Sequence, residues 1–107
     1  MSATVASGTQ TAVIGTAHSL ANLTALGVYE LVIDLAAATI ADTVEVTIFT
    51  RVLSGGNLSV FKRQMLTGGG TESVYQSVPL YSDIEYSVTL KQLAGTARAF
   101  PWKIAGL

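Results

Sequence analysis

The sequence predicts an all-β fold: an antiparallel β-sandwich, jelly-roll or immunoglobulin-like, of about seven strands with an N-terminal extended arm. Three observations carry this. From residue 18 onward, short runs of alternating apolar and polar residues are separated by turn residues. No segment shows an amphipathic helical pattern of useful length, and many short strands without helices point to a sandwich or a closely related barrel. Half of the 107 residues are hydrophobic and only 12% are charged, where a soluble domain usually carries about a quarter charged residues. Two packed sheets accommodate that balance, each burying one face and covering the other with Thr and Ser.

The length suits one domain, divided here into an arm over residues 1–16 and a sandwich over residues 17–107. The arm, Met1 to Thr16, is Ser, Thr, Ala and Gly with isolated Val5, Val13 and Ile14. It has too few large apolar groups to offset an ordering entropy of about 1–2 kcal/mol per residue, so it is expected to be mobile or to be ordered by a partner. His18 to Leu23 reads as a short strand ended by the Ala25-Leu26-Gly27 turn. Val28 to Leu35 places Tyr29, Leu31, Ile33 and Leu35 on one face. Ala36 to Ala41 fits one helical turn, with Asp34 as its cap.

Thr43 to Leu53 alternates Val44, Val46 and Ile48 against Thr43, Glu45 and Thr47, and its β-branched residues suit a pleated surface. Ser54-Gly55-Gly56-Asn57 tolerates positive φ, so Leu58 to Leu66 is expected to return as the second arm of a hairpin. Gly68-Gly69-Gly70 reads as a flexible loop tip. Glu72 to Val78 is a weaker strand stopped by Pro79, and Tyr81-Ser82-Asp83 reads as a turn. Ile84 to Leu93 sets Ile84, Tyr86, Val88 and Leu90 opposite Glu85, Ser87, Thr89 and Lys91. After Ala94-Gly95-Thr96, Arg98 to Ile104 closes the chain. Pro101 cannot donate to a ladder, which makes that last strand an edge or marks a bulge.

Several function classes are excluded on composition. A membrane span needs roughly 20 nearly uninterrupted apolar residues, and the best run, Leu35 to Ala41, is Ala-rich and flanked by Asp34 and Asp42. A secretory signal needs a basic segment before its apolar run, whereas the first basic residue is Arg51. There is no cysteine, hence no disulfide, thiolate nucleophile or cysteine-ligated zinc. A net charge of −1 argues against nucleic acid, which is bound largely through Lys and Arg. All six bases lie in residues 51–107, while residues 1–50 carry only the acids Glu30, Asp34, Asp42 and Glu45. That polarity suits contacts between neighbouring copies.

His18 is the one histidine, and no Gly-x-Ser-x-Gly elbow accompanies it, so it reads as a surface or capping residue. Metal binding lacks a His pair or an Asp-rich calcium loop. Glu30 and Asp34, four apart on one strand, lie roughly 13 Å apart at about 3.3 Å per residue. Glycosidase pairs need roughly 5–9.5 Å. Gly68-Gly69-Gly70 lacks the Lys-Ser/Thr and helix of a phosphate cradle. Phe61-Lys62-Arg63 is the one place for a single-stranded nucleic-acid platform; the competing reading is a solvated strand with Phe61 inward. Phe100 and Trp102 share a face with Ile104 and read as core, the alternative being an aromatic carbohydrate surface. The sequence thus nominates no catalytic, cofactor-binding or metal residue.

Gly27 to Leu35, followed by Ala41-Asp42-Thr43-Val44-Glu45-Val46, resembles a group of small proteins encoded in the virion-gene blocks of tailed bacteriophages. The resemblance is sharper over Val88 to Trp102, which is similar to their common Leu-Lys-Gln-Thr-Ala-Gly-Thr-x-Arg-x-Phe-x-Trp ending and departs from it at Leu93. It covers roughly residues 19–104. What it implies is a non-enzymatic structural virion protein, made in the host cytoplasm and placed on the capsid surface as a decoration protein. Its implied partners are the major capsid protein and copies of itself in a homo-oligomer, with no cofactor, nucleic acid or membrane. The arm over residues 1–16 would then act as a clamp. A tail or head-fibre component that touches a glycan or host surface is the alternative, and a sandwich hydrolase the remaining class.

Overall fold

The computed structural model describes residues 3–69 and 73–106. Among the described residues nine strands follow one another: β1 (Ala3–Thr11), β2 (Ala17–Leu23), β3 (Gly27–Asp34), β4 (Thr43–Arg51), β5 (Leu58–Thr67), β6 (Val74–Gln76), β7 (Leu80–Ser82), β8 (Glu85–Ala94) and β9 (Ala99–Gly106). All pairings are antiparallel. They form two sheets packed against each other, a β-sandwich as the sequence predicts. One sheet runs β1-β9-β3-β6, with β7 also paired to β3; the other runs β2-β8-β4-β5. No helix of the described residues is long and apolar enough to cross a membrane.

The alternation read from the sequence becomes the core. Tyr29, Leu31, Ile33 and Leu35 are buried from one sheet, with Phe100 and Ile104 of β9 beside them. Val44, Val46 and Ile48 of β4 and Tyr86, Val88 and Leu90 of β8 face them from the other sheet. Burying each of these large side chains contributes about 1.5–3 kcal/mol. The rings of Tyr29 and Tyr86 meet at a centroid distance of 5.0 Å, tilted by 41°. β6 and β7 share one edge of β3 and leave a gap between them at residues 77–79. Ser77 fills the gap: its N–H donates to Leu31 O at 2.9 Å and its Oγ accepts from Leu31 N at 2.9 Å.

Five expectations are revised. The segment read as an arm is extended but not free, because Ala3 to Thr11 pairs along β9. Its alternation is invisible in sequence because its small and polar residues do not distinguish one face from the other. The last strand is not an edge: β9 lies between β1 and β3. Pro101 is tolerated there because the β3 pairing ends at Trp102, leaving Pro101 opposite Thr9 alone. Tyr81 and Ser82 belong to β7 rather than to a turn. Ala36 to Ala41 forms turns without helix: Asp34 Oδ1 accepts from Ala36 N at 2.8 Å as the expected cap does, and Ala38 N donates to Leu35 O at 2.9 Å, but the chain turns away without continuing as helix. Phe61 points outward, 40% exposed, at the bulge where β5 slips against Ile48 and Phe49. Met1, Ser2, Gly70 and Glu72, included in the arm, the loop tip and the weak strand, lie outside the described residues.

Candidate functional site

At one end of the sandwich, four connections converge on a single buried carboxylate. Asp42 sits between the turn Thr39–Ala41 and β4 and is fully buried. Its Oδ2 accepts from Thr39 N at 2.7 Å and from Arg98 Nε at 2.9 Å, and its Oδ1 accepts from Thr96 N at 2.8 Å. Gln92, also fully buried, donates through Nε2 to Thr96 O and Ala94 O, at 2.7 and 3.0 Å, and accepts from Arg98 N at 3.1 Å. The remaining connections join through the backbone. Gly15 N donates to Gln92 O, Ala12 N to Arg98 O, and Gly68 N to Asp42 O. Gly95 adopts φ +93°, and its missing side chain is what lets it lie against Asp42 Oδ1, where any Cβ would collide.

This cluster has the ingredients of a reactive site and the geometry of a bolt. The Thr39 N–H lowers the Asp42 pKa most, burial opposes it, and Thr96 N–H and Arg98 lower it further, to about 2. A carboxylate held ionised, sealed from solvent and engaged on both oxygens neither exchanges protons near neutrality nor reaches a substrate. The sequence reading missed it because Asp42 stands fifty residues from Gln92 and no local spacing links them. The signal was present in the run Lys91-Gln92-Leu93-Ala94-Gly95-Thr96-Ala97-Arg98. There the amide, the positive-φ glycine, the Thr N–H and the guanidinium each have a place around one acid.

The other candidates remain apart. His18 Nε2 accepts from Val13 N at 3.1 Å and so closes the β1–β2 connection. Glu30 takes the side-chain N–H of Gln76, while Asp34 is turned to Ala36, so the two carboxylates serve separate local bonds. Gly68 packs against Ala38 and Gly69 against Ile40, where a Cβ at either would collide with backbone. Glu85 accepts from Asn22 at 2.6 Å and pairs with Arg51 at 2.8 Å, and these contacts hold its pKa below the usual range. Among the described residues no three His, Asp or Glu side chains group to hold a metal ion. A groove of about 350 Å³ crosses the outward face of the β1-β9-β3-β6 sheet, lined by Ser7, Val32, Asp34, Val74, Pro101 and Lys103. It contains no nucleophile paired to a base.

What the surface does offer is an exposed strand. The first six residues of β5 are all exposed, so neither face of that half is covered. Register explains it. Opposite the core residues Val44, Val46 and Ile48, β5 presents Leu66, Gln64 and Lys62 in turn. Cover from the other sheet runs out along that line: Leu66 is buried, Gln64 accepts from Tyr75 OH at 3.1 Å, and Lys62 is exposed. Beyond it, Phe61, Val60 and Leu58 lead to the hairpin tip, where Val52 is 74% exposed. Arg63 lies 3.9 Å from Glu45 on the outward face, beside the exposed Met65. Comparison with family models, curated proteins and solved structures finds no match to the chain.

Proposed function

We propose that the chain is a structural virion protein of a tailed bacteriophage, a decoration protein that binds the outer head surface and stabilises it through inter-subunit contacts. The observation that carries this reading is the overhanging β5 strand. It presents Leu58, Val60, Phe61 and Met65 to solvent, together with the bases Lys62 and Arg63. Scattered apolar residues on a surface are ordinary, whereas four exposed apolar side chains on one strand, three before and one after a pair of bases, suit a surface that a partner covers. Its basic centre fits a partner with acidic and apolar character, here the major capsid protein. The resemblance over Val88 to Trp102 supports the lineage, and its residues have a purely architectural use around Asp42. Many weak contacts of this kind suffice on a particle, because neighbouring copies raise one another's effective concentration. No catalytic step enters the proposal.

The test is binding to phage heads stripped of the protein, with occupancy read by electron cryo-microscopy. Wild-type chain is expected to fill regular sites on the head. A Phe61→Ser, Met65→Ser variant is expected to need about tenfold or more protein for half occupancy, as loss of one or two apolar anchors implies. Equal occupancy by the variant would remove β5 from the interface. Density on the tail or a head fibre instead would assign the chain there, and no density on any particle would reject the reading.

A further inference from the structure

We infer that the free edge of β1 is a self-association surface, pairing antiparallel with β1 of a second copy about a two-fold axis at Gly8 and joining two five-stranded sheets into one. The inference rests on the reading of the chain as self-associating, and it names the surface.

β1 is poorly held by its own domain. Its side chains are Ala, Thr, Val, Ser and Gln, and Val5, the one large apolar residue, is exposed at the bulge between Thr4 and Ala6. Of the strand, Ala6 is what packs against the core cluster. Gly8 lies beneath Trp102, where a Cβ would come within 3.3 Å of the indole, a tight contact, and it brings no side chain of its own to the inner side. Nine residues are ordered for one backbone ladder and little apolar burial, against about 1–2 kcal/mol of lost entropy per residue. A second ladder on the other side adds hydrogen bonds to a strand already extended.

The edge is also unguarded. Sheet edges are normally blunted by charge, proline, shortness or a bulge. β1 carries no Lys, Arg, Asp, Glu or Pro, and its bulge lies near its start, leaving Ala6 to Thr11 regular. The other described edges each carry a guard. β5 has Lys62 and Arg63 at its centre, so antiparallel pairing with itself sets like charges opposite each other. β2 is bulged in its middle, between Ser19 and Ala21. β6 and β7 have three residues each.

Self-pairing about Gly8 keeps faces consistent. Ala6, Gly8 and Gln10 oppose Ile104, Trp102 and Phe100 in the β9 register and so share the core side, while Ser7, Thr9 and Thr11 face outward. The axis at Gly8 pairs Ala6 with Gln10 and Ser7 with Thr9 of the second copy, inner with inner and hydroxyl with hydroxyl. A closed two-fold dimer is the commonest homo-oligomer, and an isologous contact requires this kind of self-complementarity. β1 and β5 border different sheets, so a β1 dimer leaves both β5 strands open for a different partner.

The absence of cysteine makes the test direct. Sedimentation and light scattering of the full chain should show a dimer. Ser7→Lys with Thr9→Lys, both at exposed outward positions, sets lysines opposite each other across the axis and should raise the dimer dissociation constant at least tenfold, with unchanged circular dichroism. Independently, mixing Ser7→Cys chain with Thr9→Cys chain should give a disulfide-linked heterodimer under oxidation, whereas Val60→Cys chain should not cross-link to itself. A monomer at the highest soluble concentration, a dimer unaffected by the lysines, or cross-linking through Val60→Cys would each overturn the inference. Retained head binding by the lysine variant would leave the decoration reading standing without it.

Discussion

Asp42 shows how one residue sets the behaviour of a whole end of the molecule. Its folded pKa is about 2, below the ordinary 3.8, so the folded state binds its proton less readily than the unfolded chain does. Such a group contributes stability that is complete above its unfolded pKa and is lost as pH falls through the folded one. The expected window therefore lies between about pH 4 and pH 2. Glu85, also depressed, acts in the same direction. Thermal midpoints measured from pH 2 to pH 7 should fall on the acid side for the wild type. Asp42→Asn should start lower at neutrality, because an amide places N–H groups where Thr96 and Arg98 donate, and should lose less on acidification. Parallel pH profiles for the two proteins would show that Asp42 does not hold this end together.

At the scale of elements, the strands that alternate strongly were legible because each residue's face is fixed by the period of two. Tyr29, Leu31 and Ile33 on β3, Val44, Val46 and Ile48 on β4, and Tyr86, Val88 and Leu90 on β8 lie where their spacing puts them. β1 was illegible as a strand because its residues are small and both phases of its alternation look alike. The place of β9 was illegible for another reason, since Pro101 reports what one residue cannot donate and not which neighbours the strand has. The Asp42 cluster joins residues 39, 42, 92, 96 and 98 across two connections, a juxtaposition that only the packed sheets create. Core and overhang should separate by mutation. Phe100→Ala on β9, fully buried, should cost about 3–5 kcal/mol. Val60→Thr on β5, 48% exposed, should stay within about 0.5 kcal/mol. Denaturant titration of both variants checks the contrast, and equal losses would mean that β5 is packed in solution.

On the scale of the whole molecule, the first strand pairs with the last, and the last runs through the middle of its sheet. β9 supplies Phe100 and Ile104 to the core and flanks β3 over Trp102 to Gly106. The sheet therefore lacks its centre until the end of the chain is in place, and closing such distant pairs is slow, on the order of milliseconds to seconds for β-sandwich topologies. The two termini differ sharply in what they contribute. Removing residues 99–107 strips β3 of its main neighbour and opens the core, so that chain should lack a cooperative thermal transition and bind a hydrophobic dye. Removing residues 1–11 takes away an edge with little apolar burial, and that chain should melt cooperatively at a lower midpoint. Calorimetry and dye binding on both truncations decide the point. Loss of cooperativity in both would make β1 part of the core, whereas survival of the 99–107 deletion would mean that the remaining strands can close the sandwich alone.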